Sequence, residues 1–164
     1  MAIYHCSISN VSRAHGSATT ATLSYITGEK VRDERLGETF YGFGRTERIE
    51  ATGVCLPEGA PESFKDPAVM FNSLELYEKS DNARTGKKIE VALPRECTPE
   101  EQIRIVDSYV KENITSQGYG AVYAIHIDPE NNNPHAHILV TNRQINPQTH
   151  DWEKTKTRKE YALD

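Results

Sequence analysis

The segment His126-Ile-Asp-Pro-Glu-Asn-Asn-Asn-Pro-His135-Ala-His137-Ile-Leu-Val concentrates three imidazoles in a short span. In an extended strand, residues two apart share a face, so His135 and His137 point the same way. His126 belongs to the preceding strand. Pairing it opposite either His137 or His135 puts all three rings on one face of one hairpin. Ile125, Ile127, Ala136, Ile138 and Val140 flank them and make that hairpin a buried platform. Burying three converging imidazoles with nothing to satisfy them is costly. Neutral imidazole, however, is a good ligand for first-row divalent metals. Three protein ligands leave coordination positions open, as a catalytic site requires. A lone histidine more often only hydrogen-bonds within its sheet; an HxH with a third histidine one hairpin away favours a metal. Asp128 fits either a residue that orients a ligand or a member of the turn. Clusters of this kind serve cupins, metal-dependent hydrolases and nucleases, so the nucleophile must decide the chemistry.

The surrounding elements supply the frame. Residues 2–8 carry the β-branched and aromatic side chains of a strand. Ser17–Thr27 reads as a helix with Ala18, Ala21 and Tyr25 on one face and Gly28 as its stop; its threonines make it weak, so tertiary packing must hold it. Residues 29–38 read as charged loop, followed by a ribbon around Phe40–Phe43 and Arg48–Cys55. Asp66-Pro67 marks a helix start, and Met70, Leu74 and Tyr77 carry that helix to about Ala83. Lys88–Leu93 alternates as a strand. Thr98-Pro99-Glu100-Glu101 opens a helix with Ile103, Val106 and Val110 as its buried stripe. Ala121–Asp128 and His135–Asn142 are two apolar strands joined by a polar loop. The pattern is α+β: a mainly antiparallel sheet of about five strands with helices packed on it.

At 164 residues the chain is one domain with a real core. No apolar run approaches membrane-spanning length, and residues 1–5 lack the regions of a signal peptide. Cys6, Cys55 and Cys97 are scattered without CxxC spacing, which fits free thiols in a reducing cytoplasm. A net charge of −5 does not by itself point to nucleic acid, whose binding rests on cations. Local clusters such as Lys154, Lys156, Arg158 and Lys159, or a bound divalent metal, supply positive charge where it matters.

Four stretches together resemble the MobA/MobL-type plasmid mobilisation relaxases, a branch of the HUH endonucleases. They are Met1-Ala-Ile-Tyr-His-Cys-Ser; Ala21-Thr-Leu-Ser-Tyr25-Ile-Thr-Gly-Glu-Lys30 with Asp33-Glu34-Arg35; Ile89-Glu90-Val-Ala-Leu-Pro94-Arg-Glu96; and Asn133-Pro-His135-Ala-His137-Ile. The resemblance spans most of the chain in the family's order. It implies an HUH relaxase/Rep-like fold and a site-specific nicking-closing reaction at an origin of transfer, on DNA that is single-stranded or locally melted beside a hairpin. Tyr25 stands at the nucleophile's position; from the helix alone it is a half-buried aromatic. Attack on a backbone phosphate would leave a 5′-phosphotyrosyl ester that keeps the broken bond's energy for rejoining. A divalent metal, Mn²⁺ or Mg²⁺, would sit on His126, His135 and His137, with Mn²⁺ the better match for imidazole.

Glu90 alternates opposite to Ile89, Val91 and Leu93, which makes it a candidate general base beside the histidines or an exposed strand residue. Lys87 and Lys88 fall where the family pattern carries an arginine and a glutamate; Lys87, Lys154, Lys156 and Arg158 are candidate DNA contacts. Asp33, Glu34 and Arg35 fit the family pattern or a solvated loop. His5, His15 and His150 read as structural or exposed. The resemblance further implies relaxosome and coupling proteins as partners, and a longer protein of which residues 1–164 are the N-terminal nicking domain. A rolling-circle replication initiator shares this chemistry. A metal-dependent hydrolase with activated water, or a DNA-binding module without activity, are the rivals from other classes.

Overall fold

The computed structural model describes residues 5–42, 47–130 and 132–156. Ten regular elements follow one another: β1 (Cys6–Ser12), α1 (Thr19–Thr27), β2 (Val31–Asp33), β3 (Glu38–Phe40), β4 (Arg48–Cys55), α2 (Pro67–Tyr77), β5 (Arg84–Ala92), α3 (Pro99–Asn113), β6 (Ala121–Ile127) and β7 (Pro134–Thr141). Five of the strands form one sheet in the order β1-β5-β7-β6-β4, antiparallel throughout, as the alternating apolar pattern predicts. The longest apolar runs, β6 and β7, lie inside it and are buried along nearly their whole length.

Each face of the sheet has its own core. On one side α3 packs Val106, Val110 and Ile114 over Ile89, Tyr123, Ile125, Ala136 and Ile138. Thr98 caps that helix by accepting from the Glu101 N–H, as the capping-box spacing requires. On the other side α1 and α2 pack Leu23, Ile26, Phe71 and Leu74 over Val122, Ala124 and Leu139. Because side chains alternate, one face of each central strand belongs wholly to α3 and the other to α1 and α2.

Several boundaries differ from the sequence reading. The first strand runs Cys6–Ser12, displaced toward the C-terminus from the expected 2–8, of which residues 2–4 lie outside the described residues. Residues 29–38 are not plain loop: Val31–Asp33 pairs antiparallel with Glu38–Phe40 in a separate small hairpin. The expected ribbon of Phe40–Phe43 with Arg48–Cys55 does not form, since Phe40 pairs with Val31 and β4 joins the large sheet beside β6; Phe43 lies outside the described residues. Helix α2 stops at Tyr77, not Ala83, because Glu78 is already extended and the chain turns over Ser80–Ala83 to deliver β5.

Helix α1 is held from outside, as its composition demands. Its N-cap position is Ala18, which offers no side-chain acceptor. The buried carboxylate of Glu75, from α2, takes that role: its Oε2 accepts from the Thr19 N–H at 2.9 Å and the Thr19 hydroxyl at 2.7 Å. Arg13 balances the charge at 3.0 Å from Glu75 Oε1. A second buried carboxylate, Asp33, accepts from the Thr20 hydroxyl at 2.5 Å and from the Leu36 N–H at 2.7 Å. Asp33 is therefore a fixed strut under α1 and not part of a solvated loop. Gly28 ends the helix at φ 74°, a left-handed conformation that suits glycine. Gly86 of β5 lets the helix lie close, since a Cβ there would come within 2.7 Å of Thr19 Cγ2.

Candidate active site

The hairpin register decides between the two pairings left open by the sequence: His126 stands directly opposite His135, and His137 opposite Ala124. Directly opposed residues share a face, so all three imidazoles project toward α1, on the side of Val122, Ala124 and Leu139. The loop between the strands fixes this register. Asp128 Oδ1 accepts from the Glu130 N–H at 2.9 Å and the Asn132 N–H returns to the Asp128 carbonyl at 2.8 Å, with Asn132 at φ 50°. Asp128 thus serves the turn.

His126 is completely buried, and its contacts define its chemistry. Nε2 lies 2.6 Å from the carbonyl oxygen of Ile26, which can only accept, so Nε2 carries the proton. Nδ1 lies 3.1 Å from Glu47 Oε2. A lone pair facing a carboxylate oxygen at this distance needs a proton or a metal ion between them. His137 lies against His126 with ring centroids 4.2 Å apart and the planes tilted by 38°, and neither of its ring nitrogens has a hydrogen-bond partner among the described residues. Burial and the neighbouring His126, His135 and Lys88 push the His137 pKa down to about 4, against the opposing pull of Glu47, so its lone pair is available at neutral pH. Single ligand atoms of Glu47, His126 and His137 lie within 4.8 Å of one another. Imidazole nitrogens with no proton to give up, beside a carboxylate, are the donor set of a first-row divalent cation. The residues present fit a metal.

The trio differs from the expected one. His135 shares the face and its charge is felt at His137, but the tight group takes Glu47 in its place. His135 is only half-buried, with Nδ1 lacking a partner among the described residues. Glu47 was not legible in the sequence. It enters because β4 pairs with β6, setting Arg48 opposite Ile127 and Ile49 opposite His126.

Tyr25 occupies the last turn of α1, next to Ile26, whose carbonyl His126 holds. Its ring centroid is 6.4 Å from that of His126, and 44% of its surface is exposed. A phenol half open to solvent at the lip of a buried imidazole group is placed to meet a ligand from outside. Glu90 lies directly opposite His137 on β5 and so faces the same side, half-buried. Lys87 does not: it shares the alternation of Ile89 and Val91 and points to the α3 side of the sheet. Lys88 is the lysine on the histidine face. Lys154 is exposed, while Lys156 is engaged by Glu78 Oε1 at 3.4 Å and the Arg84 carbonyl at 3.1 Å. Arg158 lies outside the described residues. His5 and His15 are exposed, and exposed His150 contacts the Gly59 carbonyl through Nδ1 at 2.6 Å.

The sequence model of the MobA/MobL family matches residues 17–163. The chain belongs to the MobA/MobL family. It is 60% identical over its whole length to a protein of Bifidobacterium longum (strain NCC 2705) described as a probable mobilization protein MobA, and it covers 29% of that protein. It is 28% identical to mobilization protein MobL of Acidithiobacillus ferridurans, over 90% of this chain and 44% of that protein. It is 32% identical to conjugal transfer protein TraA of Agrobacterium fabrum (strain C58 / ATCC 33970), over 88% of this chain and 14% of that protein. This MobA/MobL chain therefore spans less than half the length of these relatives. A solved structure from work on the molecular basis of vancomycin resistance transfer in Staphylococcus aureus superimposes with a TM-score of 0.81 over 99% of this chain and 81% of that one. At 24% identity, that likeness establishes the fold. No helix among the described residues is long and apolar enough to cross a membrane.

Proposed function

We propose that this chain is the nicking domain of a relaxase, which cuts and rejoins one DNA strand at a plasmid origin of transfer with Tyr25 as nucleophile. The observation that carries the reading is the exposed Tyr25 ring held beside a buried group of metal-ligating side chains, with its helix tied to that group through His126.

Tyr25 Oη forms the new bond to phosphorus while the bond from phosphorus to O3′ breaks. The phenolic proton passes to an acceptor on the histidine face, a role for which Glu90 is the available carboxylate. The leaving 3′ oxygen takes up a proton and departs with the segment 5′ of the nick, and the segment 3′ of the nick stays attached through its 5′ phosphate as a phosphotyrosyl ester. The reverse transfer rejoins the strand without an external energy source. His126, His137 and Glu47, with His135 adjacent, would hold a divalent ion, for which Mn²⁺ is the best chemical match and Mg²⁺ the alternative. When bound, that ion neutralises phosphate charge that grows in the transition state. His126 also fixes the last turn of α1, which sets the phenol's position.

The substrate is origin-of-transfer DNA, single-stranded or melted beside a hairpin. Other relaxosome and coupling proteins are its expected company. A protein that acts on plasmid DNA would work in the cytoplasm, and residues 1–164 would form one nicking domain.

The deciding experiment mixes the protein with Mn²⁺ and a labelled origin-of-transfer oligonucleotide, then separates products under denaturing conditions. The expected result is a covalent protein–DNA band absent in Tyr25→Phe and in His137→Ala. Cutting without an adduct, undiminished in Tyr25→Phe, would mean that water is the nucleophile and would sink the relaxase reading.

A further inference from the structure

The two adjacent lysines of β5 part company across the sheet. Lys87 follows Ile89 and Val91 onto the α3 side. Lys88 pairs with Leu139 and Ser9, and so lies on the face of Glu90 and His137. That face is the one on which a Cβ at Gly86 would meet Thr19 of α1. Lys88 and His137 are diagonal neighbours on adjacent strands, a separation of about 7–8 Å that a four-carbon stem readily spans.

Lys88 is half-buried, and among the described residues no carboxylate lies within ion-pair distance of its ammonium. Three half-buried or buried cations near α2 are differently employed. Arg13 is tied to Glu75, Arg143 and Lys156 to Glu78. A half-buried lysine with no ion-pair partner among the described residues, on the face of the candidate metal ligands, is an arrangement that a bound anion would favour. The ligand proposed for this face is a chain of phosphodiesters.

Resting on the relaxase reading above, we propose that Lys88 is a phosphate contact for the DNA strand that Tyr25 attacks, gripping the backbone on the β5 side of the histidine group. As a phosphate contact it carries no sequence preference. The net charge of −5 makes each cation at the site count for more, since the protein's overall field opposes DNA.

The test measures binding of a fluorescent single-stranded 30-nucleotide oligonucleotide of mixed sequence by anisotropy, across a range of salt, for wild type, Lys88→Met, Lys88→Gln and Lys88→Arg. Thermal unfolding of each variant checks folding, and Mn²⁺ affinity is titrated in parallel. Loss of one phosphate contact should weaken binding roughly three- to tenfold. It should also make the slope of log affinity against log salt shallower by about 0.7. Lys88→Arg should keep both near wild type, and Mn²⁺ affinity should not fall in any of the three. If the Met and Gln variants bind with unchanged affinity and slope, Lys88 does not touch the backbone. If their Mn²⁺ affinity falls along with DNA binding, Lys88 acts by supporting the histidine group, and the proposal is overturned. A wild-type protein that fails to bind the oligonucleotide at all would instead strike at the DNA reading itself.

Discussion

His126 donates from Nε2 to the backbone carbonyl of Ile26 at 2.6 Å, one residue along the helix from Tyr25. One imidazole thus ties down the last turn of the helix that carries Tyr25 with one nitrogen, and its other nitrogen is free to serve the proposed metal site. His137 has no such second task among the described residues. In metal-free protein, His126→Ala should therefore lower the melting temperature markedly, by loss of a buried hydrogen bond and packing worth about 2–4 kcal/mol. His137→Ala, which removes two unpartnered buried nitrogens, should cost far less. Differential scanning calorimetry in chelator compares the two; equal losses would contradict this division of labour.

Added Mn²⁺ should raise the wild-type melting temperature in a concentration-dependent way, since a ligand for the folded state stabilises by mass action. Glu47→Gln should reduce that gain and weaken Mn²⁺ binding by about tenfold or more. Titration calorimetry reads the affinity directly. An unchanged value for Glu47→Gln would return the third ligand position to His135.

The pH response of His137 has a definite sign. Its folded-state pKa is about 4, below the ordinary 6.5 that the unfolded chain retains. Between those values the unfolded chain binds a proton that the folded one refuses. In metal-free protein, stability should hold level with respect to this group above pH 6.5 and decline as pH falls toward 4, by roughly 3 kcal/mol in all. Urea unfolding of wild type and His137→Gln at pH 7 and pH 5 isolates the effect. Parallel declines in both proteins would assign it elsewhere.

Glu75→Ala should be among the most damaging substitutions remote from the site. It uncaps α1 at Thr19 and leaves Arg13 with backbone carbonyls but no carboxylate partner, a cost of about 3–5 kcal/mol for a broken buried pair. Denaturant unfolding measures the stability loss. Adduct formation should fall as well under conditions where the variant stays folded, because Tyr25 rides on the helix that Glu75 holds.

The sheet and the shared face of the histidines were open to inference because alternation is a local property. His135, His137 and Glu90 declare their faces by period two, and Thr98-Pro99-Glu100-Glu101 declares a helix start by chemistry. What the sequence could not disclose depends on pairing between distant segments. Glu47 joins His126 only because β4 lies beside β6, and an eight-residue strand with a bulge between Ile49 and Ala51 gives no local sign of its neighbour. Asp33 and Glu75 likewise resemble ordinary charged residues until their partners, Thr20, Thr19 and Arg13, come together in the fold. The sidedness of Lys87 and Lys88 was available from the same alternation that placed Glu90.

The position of β6 and β7 inside the sheet bears on how the protein opens. Amides in interior strands exchange with solvent only through the deepest unfolding events, whereas a short helix of weak propensity packed on the sheet's outside can open sooner. The two ring-bearing strands should be the last segments to take up deuterium, and Thr19–Thr27 among the earlier ones. On the proposed mechanism, Tyr25 would sit on a segment that opens early while the imidazoles stay fixed in the strands that open last.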